Sequence, residues 1–182
     1  MFHAYDESGK QHWADPVTHH SPIFWCRAIG WFGMALVEVL ELLPHNHPQR
    51  DDLIKQLKQL AAAYQKYQDP VTGLWYQVID KASTPGNWLE TSSSCMYTYT
   101  LALALERGYI AKHYAEVARK GYSGVLTQLS RDDEGFAHIA NICEGTNVGD
   151  LAFYLARPHS TDDFHGIGAF LIMNEQLRKI RV

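Results

Sequence analysis

Apolar residues along the chain alternate between two patterns, and these predict two kinds of helix. Between residues 23 and 43 nearly every helical face is apolar, Ser21-Pro22 can cap the start and Pro44 ends the run. A helix that is apolar all round is buried on all sides. Between residues 53 and 67, apolar residues recur at steps of three and four with lysine and glutamine between them, which predicts an outer helix with one exposed face.

The same alternation continues through the rest of the chain. Thr91 or Ser92 opens a second buried type of helix that ends before Gly108, and an amphipathic stripe follows over residues 114–129. A third buried type of helix runs over about residues 166–177. The pattern therefore predicts inner and outer helices in turn.

Acidic turns that end in glycine recur at a fixed spacing. Asp6, Asp69 and Asp132 lie 63 residues apart, and each opens a tight loop that reaches a glycine within four residues. Each loop leads into a short extended segment, such as residues 73–78. Inner helix, outer helix and a small hairpin, repeated about every sixty residues, predict an all-α fold of the α/α toroid type.

Three repeats account for residues 1–182, whereas α/α toroids close with roughly six helical hairpins. The sequence therefore predicts a single domain that forms about half a ring, the C-terminal half, with two open edges. We expect either a missing N-terminal half or a second copy of the chain, in a homodimer, to cover these edges. The competing interpretation is a compact bundle of five helices.

Composition narrows the classes of function. Of the 182 residues, 46% are hydrophobic and 20% are charged, and the net charge of −4 gives no basic field for nucleic acid. No apolar run is long enough to predict a membrane span, and no signal peptide is visible. Cys26, Cys95 and Cys143 form no CxxC pair, which favours free thiols and a cytoplasmic location.

Candidate chemistry lies in the loops that precede the inner helices, residues 10–22, 75–91 and 133–163. We call this end of the predicted ring the mouth, because inner helices of a toroid run in one direction and their N-termini converge there. Helix N-termini favour anions, and aromatic faces beside hydrogen-bonding groups bind pyranose rings. The mouth therefore suits a sugar that carries a carboxylate.

The segment around Arg27 is the most specific part of the mouth. Arg27 and Trp31 lie four residues apart, hence on one face of the first inner helix, with Trp25 nearer the rim. A guanidinium in an apolar wall needs a partner, and its fork fits a carboxylate or a pair of hydroxyls. The alternative is that Arg27 binds loop carbonyls and that the tryptophans belong to the core.

Other polar residues of the mouth allow weaker predictions. His3 could act as a general acid or base, or as a donor that stabilises charge, although a lone histidine is more often structural. The remaining histidines lack metal-binding spacing, so no metal site is predicted. Asp162-Asp163 caps the third inner helix, and a substrate role for residues 162–166 is the alternative.

Segments across the whole chain resemble the unsaturated rhamnogalacturonyl hydrolases of glycoside hydrolase family 105 and the related unsaturated glucuronyl hydrolases of family 88. The segments are residues 13–16, 21–31, 86–94 and 162–170. The resemblance implies a toroid of roughly twice this length, a cytoplasmic enzyme, and neither metal nor cofactor.

The resemblance also implies a reaction. Substrates of these families are oligosaccharides left by polysaccharide lyases, including those of pectin, and they end in a uronic acid with a C4=C5 double bond. Instead of the paired-carboxylate displacement of ordinary glycosidases, one aspartic acid protonates C4 and then helps water to add at C5.

Residue roles follow by motif. His3 resembles the family histidine that assists near the reacting ring, Trp25, Arg27 and Trp31 match its substrate wall, and Trp88 lies in a second matching motif. No aspartate of this chain matches the catalytic one, which implies that the chain alone is inactive. The alternatives are a sugar-binding or scaffold protein without catalysis and a toroid epimerase, although an epimerase needs histidines in the middle of its inner helices and none is found there.

Overall fold

The computed structural model describes residues 2–179, and the elements within this range follow the predicted alternation. The helices are α1 (Cys26–Leu42), α2 (Arg50–Tyr67), α3 (Thr91–Glu106), α4 (Ala115–Leu126), α5 (Leu151–Leu155) and α6 (Phe164–Lys179). A 3-10 turn, Lys112–Tyr114, precedes α4. The strands form three antiparallel pairs: β1 (Trp75–Tyr76) with β2 (Leu89–Glu90), β3 (Leu129–Arg131) with β4 (Ala137–Ile139), and β5 (Ile142–Cys143) with β6 (His159–Ser160).

Helix α3 is the centre of the structure. It packs against α1 on one side and α6 on the other, and against the outer helix α4 behind. Fourteen of its sixteen residues are buried, whereas α2 and α4 each keep one exposed face. The prediction of inner and outer helices is confirmed, with α1, α3 and α6 as inner helices and α2 and α4 as outer ones.

Glycines and aromatic rings set the distances between these helices. A Cβ at Gly33 would collide with the Tyr64 hydroxyl of α2 and crowd Thr100 of α3, so α1 approaches both neighbours closely at this position. Tyr64 stacks on Tyr97 of α3 with ring centroids 3.9 Å apart, and the indole N–H of Trp75 donates to the Tyr64 carbonyl at 2.8 Å. Packing of this density is typical of a native core.

The predicted turns are present. Carboxylates of the three repeated aspartates accept backbone N–H groups of their own loops, as in Asx turns. Each loop ends at a glycine with positive φ, namely Gly9 (+65°), Gly73 (+77°) and Gly135 (+88°). Glycine adopts this backbone conformation without the steric cost that a Cβ brings.

Two helix boundaries differ from the prediction because the backbone pairs with a distant segment. Helix α1 begins at Cys26 rather than residue 23, because residues 24–26 form extended backbone hydrogen bonds with the segment 77–79. Helix α4 ends at Leu126 and Leu129 starts β3, because the backbone from residue 128 onward pairs with residues 137–140. In both places pairing with a distant segment overrides helical periodicity.

The inner helices at the two ends of the row expose apolar surface. The exposed residues are Trp31, Val39 and Leu42 on α1 and Phe164, Leu171 and Ile172 on α6. A cavity of about 330 Å³ opens between α1 and α2 beside Phe24, Phe32 and Tyr67. This surface is the kind expected at the open edges of a half ring. That residues 1–182 form a single domain stays a prediction. Over residues 2–179, every helix is too short or too polar to cross a membrane.

We predict that Gly73→Ala destabilises the protein more than Gly135→Ala does. Both residues have positive φ, which costs an alanine about 1–2 kcal/mol. A Cβ at Gly73 would also collide with the backbone carbonyl of Lys120, whereas nothing lies within 4 Å of one at Gly135. The free energy of unfolding should therefore fall by about a further 1–3 kcal/mol in Gly73→Ala, as measured by urea denaturation. Equal losses in the two variants would contradict this packing.

Candidate functional site

The N-terminal ends of the inner helices lie together, as predicted for the mouth. Arg27, in the first turn of α1, donates from Nη1 to the hydroxyl of Ser92 in the first turn of α3 at 3.3 Å. The backbone N–H of Thr91 donates to the carbonyl of Asn141 at 2.9 Å, and that of Asp162 to the carbonyl of Ile139 at 2.9 Å. The loop before α6 therefore packs on the starts of α1 and α3.

Glu90 is the N-cap of α3, and its carboxylate is fully buried. It accepts hydrogen bonds from the backbone N–H groups of Ser92 (3.1 Å) and Ser93 (2.6 Å), from the Ser92 hydroxyl (2.7 Å) and from the backbone N–H of Cys143 (3.0 Å). One carboxylate thus caps a helix and tethers β5 to it. The prediction that Thr91 or Ser92 opens this helix was wrong, since both lie inside α3 and the cap is Glu90, a residue type outside the usual N-cap set.

Arg27 is 1% exposed and bonds to the protein itself. Its Nη1 donates to the carbonyl of Cys143, and its Nη2 donates to the carbonyl of Glu144 at 2.7 Å. The guanidinium carbon also lies 5.2 Å from the ring centre of Trp25. The structure therefore shows the loop-carbonyl arrangement, in which Arg27 holds residues 143–144, and a direct contact of Arg27 with substrate stays a prediction.

Trp25 and His3 meet at Tyr154, a residue that sequence reasoning missed. Trp25 is 9% exposed and stacks on the Tyr154 ring at 5.6 Å. His3 Nε2 lies 3.0 Å from the Tyr154 hydroxyl, which also accepts the N–H of Gly149 at 3.2 Å. Burial lowers the pKa of His3. His3 is thus a neutral imidazole at neutral pH, fixed beside the tryptophan.

The other two predicted tryptophans are more open. Trp31 is 50% exposed and lines a cavity of about 280 Å³ between α1 and α6. Trp88 is partly buried and stacks on His159 of β6 with ring centroids 4.3 Å apart. The structure therefore joins His3, Trp25 and Arg27 in one packed group, and places Trp31 and Trp88 at separate positions around it.

A second cluster joins the third acidic turn to the loop before α6. His138 of β4 lies between two carboxylates, with Nδ1 2.5 Å from Asp162 and Nε2 3.2 Å from Asp132. Asp162 has a positive φ of 62° and also accepts the N–H of Ile139. The cap of α6 is Asp163, whose carboxylate accepts the N–H of His165. Capping by Asp163 is confirmed, whereas Asp162 instead fixes the β3–β4 hairpin.

The three cysteines are buried free thiols, as predicted, and burial raises the pKa of Cys26 and of Cys95 well above the ordinary value. Within residues 2–179, no group of three His, Cys, Asp or Glu side chains is arranged to hold a metal ion.

The fold and the mouth together define half of an α/α toroid with aromatic and charged groups at the N-terminal ends of its inner helices. The chain belongs to Glycosyl Hydrolase Family 88, whose family model matches residues 1–180.

Relatives and solved structures agree with this assignment. A family 105 glycoside hydrolase from Clostridium acetobutylicum is 34% identical with a TM-score of 0.94, over 98% of this chain and 52% of that chain. Unsaturated rhamnogalacturonyl hydrolase YesR of Bacillus subtilis is 26% identical, over 81% of this chain and 37% of that protein. Protein Atu3128 of Agrobacterium fabrum is 35% identical, over 93% of this chain and 78% of that protein.

These comparisons confirm the α/α toroid fold, and the compact five-helix bundle is therefore the wrong interpretation. The chain spans about half the length of the Clostridium structure that it matches.

We predict that Arg27→Lys loosens the loop after β5. Lysine keeps the charge but loses the fork that reaches the carbonyls of Cys143 and Glu144, so the free energy of unfolding should fall by about 2 kcal/mol. Amide hydrogen exchange should rise in residues 143–149. Arg131→Lys is the matched control because Arg131 is exposed, and it should change stability by less than about 0.5 kcal/mol. Unchanged exchange in Arg27→Lys would contradict the bracing role.

The His138 cluster predicts a pH dependence of stability. Hydrogen bonds with Asp162 and then Asp132 raise the pKa of His138 above its ordinary value of 6.5, so the stabilisation is full below about pH 6.5 and is lost as pH rises through the raised pKa. Hydrogen bonds with His138 lower the pKa of both carboxylates below 3.8, so their stabilisation is lost only at more acid pH.

His138→Gln should therefore lower the melting temperature more at about pH 5.5 than at about pH 8.5. The exposed His45, which lies in the loop after α1, supplies the control variant His45→Gln. A difference between wild type and His138→Gln that is the same at both pH values would disprove the prediction.

Proposed function

We propose that this chain supplies one side of the active site of a glycoside hydrolase that acts on unsaturated uronyl oligosaccharides of the rhamnogalacturonan type, a step in pectin degradation. Family membership and the likeness to YesR support this substrate class. The observation that carries the proposal is the half-exposed Trp31, which lies at the same helix ends as the buried Arg27 and Glu90. An open aromatic face on a rigid polar support is what a pyranose ring requires.

The proposed reaction is hydration of the C4=C5 double bond. A proton adds to C4 and the oxygen of water bonds to C5, which gives a hemiketal. The hemiketal collapses to a C5 carbonyl as the bond from C5 to the ring oxygen breaks, and that oxygen takes up a proton to become the C1 hydroxyl. The C1 hemiacetal then collapses to an aldehyde, the bond from C1 to the neighbouring sugar breaks, and the leaving oxygen takes up the proton of the C1 hydroxyl. One group can act first as acid and then as base, provided that its pKa is raised and its surroundings are dry.

We assign supporting roles to the residues of this chain and place the catalytic aspartate on a segment outside residues 1–182. In this proposal, Trp31 and Trp88 contact sugar rings, Trp25 supports His3, and Arg27 shapes the wall. His3, neutral because burial lowers its pKa, can hydrogen-bond to the reacting ring without carrying charge. Neither metal nor cofactor takes part in these steps.

A second helical half must then cover the open edges. We propose that these residues form a single half-ring domain whose apolar edges pack on the half that carries the catalytic aspartate, with a second copy of this chain as the alternative cover. The exposed apolar residues Val39, Leu42 and Leu171, which lie outside the cavity lined by Trp31, support this arrangement. The three free thiols support a reducing, cytoplasmic location.

The test follows the ultraviolet absorbance of an unsaturated rhamnogalacturonan disaccharide, which is lost when the double bond is hydrated. We expect this chain alone to leave the absorbance unchanged. Mixed or co-expressed with the part of the Clostridium hydrolase that precedes the matched segment, it should remove the absorbance. If the chain alone turned the substrate over and light scattering showed a dimer, the assignment of the aspartate would be contradicted. That result would favour a second copy of the chain as the cover of the open edges.

Trp31→Ala should lower kcat/KM of the active mixture about 10- to 100-fold, because a stacked ring contributes about 1–3 kcal/mol to binding. Val71→Ala is the control, since Val71 is an exposed apolar residue in the turn after α2, outside the helices whose edges pack on the other half. Sugar binding without turnover in every mixture would support a non-catalytic sugar-binding protein. A result in which no mixture shows binding or turnover would contradict both functions.

A further inference from the structure

The cavity between α1 and α6 contains one ionisable side chain among apolar ones. Its volume is about 280 Å³, and Trp31 and Met34 line it from α1. Phe164, His165 and Ile172 line it from α6. Trp31 and Phe164 are both exposed, so this lining is open to a ligand that enters at the mouth. A cavity with an aromatic wall and one polar group is typical of a site for an amphipathic ring.

His165 is held in position by Asp163. Its Nδ1 lies 2.6 Å from Asp163 Oδ1, and its backbone N–H donates to the same oxygen at 2.9 Å. Burial acts to raise the pKa of Asp163, but the hydrogen bonds from His165 outweigh it, so the pKa lies below the ordinary value. Asp163 is therefore a carboxylate that accepts the Nδ1 proton. Nε2 is the ring nitrogen that remains for a ligand.

The imidazole faces the loop that Arg27 holds. Between His165 Cε1 and Gly145 there is room for a methyl group, since a Cβ placed on Gly145 would lie 3.6 Å from Cε1. Arg27 binds the two carbonyls directly before this glycine, and its charge also lowers the pKa of Asp163. Arg27 therefore favours the charged form of Asp163, the carboxylate that holds the ring of His165.

We propose that His165 is a further sugar-contacting residue, whose Nε2 hydrogen-bonds to a hydroxyl group of the pyranose ring that stacks on Trp31. This inference rests on the proposed function and adds a residue that recognises a hydroxyl group of the substrate. The apolar face of the sugar covers Trp31 and Phe164, and its polar edge meets the imidazole. A fixed hydrogen-bonding group of this kind discriminates against an analogue that lacks the hydroxyl.

The experiment is an NMR titration of the full chain, labelled with nitrogen-15, with an unsaturated rhamnogalacturonan disaccharide. The indole N–H signal of Trp31 reports occupancy of the cavity, and the titration is accurate even for weak binding. His165→Leu should raise Kd about five- to tenfold, the size of one hydrogen bond. His165→Gln, whose amide can occupy the place of Nε2, should stay within about twofold of wild type. Thermal melts of each variant establish that it is folded.

His45→Leu is the control because His45 is exposed at the opposite end of α1, and it should bind like wild type. Binding that depends on Trp31 but is unchanged in His165→Leu would overturn the role of His165 and leave the proposed function intact. A wild-type Trp31 signal that never shifts would overturn the sugar site formed by Trp31 and His165, whereas the proposed function fails only if the mixture with the other half also shows no turnover. A loss in His165→Gln as large as in His165→Leu would also contradict the proposed hydrogen bond.

Discussion

The buried carboxylate of Glu90 is the interaction on which the mouth depends. A charge removed from water is tolerated only where hydrogen bonds replace the solvent, and Glu90 has donors from α3 and from β5. The Ser92 hydroxyl that donates to Glu90 also accepts from Arg27. One connected network therefore joins the starts of α1 and α3 to β5, which pairs with the strand before α6. Because each member satisfies another, none can move without leaving a buried polar group unpaired.

This network explains why the mouth combines rigid and open groups. Arg27 and Trp25 make their contacts within the protein, Arg27 with the carbonyl of Glu144 and Trp25 with the ring of Tyr154. Tyr154 in turn holds His3 through its hydroxyl. Trp31, one turn further along α1, remains half-exposed on the support that they make. Groups that must meet a sugar in a fixed geometry are best placed on elements whose own supports are locked. The division between supporting and contacting residues follows from burial, not from residue type.

Local patterns explain what could be predicted. The inner and outer helices follow from the distribution of apolar residues, and the three acidic turns follow from an aspartate and a glycine whose chemistry acts within four residues. The five-residue helix α5 and the pair β5–β6 were missed because segments this short carry no period. Tyr154 was missed because its contacts with His3 and Trp25 come from residues far away in the chain.

The sequence by itself determined the repeat, the helix types, the Asp163 cap of α6 and the family resemblance, because each depends on local sequence patterns. The predicted caps at Ser21-Pro22 and at Thr91 or Ser92 were wrong, since Trp25 and Glu90 occupy those positions. The tertiary structure decided what Arg27 does. The spacing of Arg27 and Trp31 allowed either a ligand contact or a structural role, and the choice lies in carbonyls 116 and 117 residues away. A guanidinium takes whichever acceptors the fold brings to it, and only the packing of the 143–144 loop on α1 places those acceptors there.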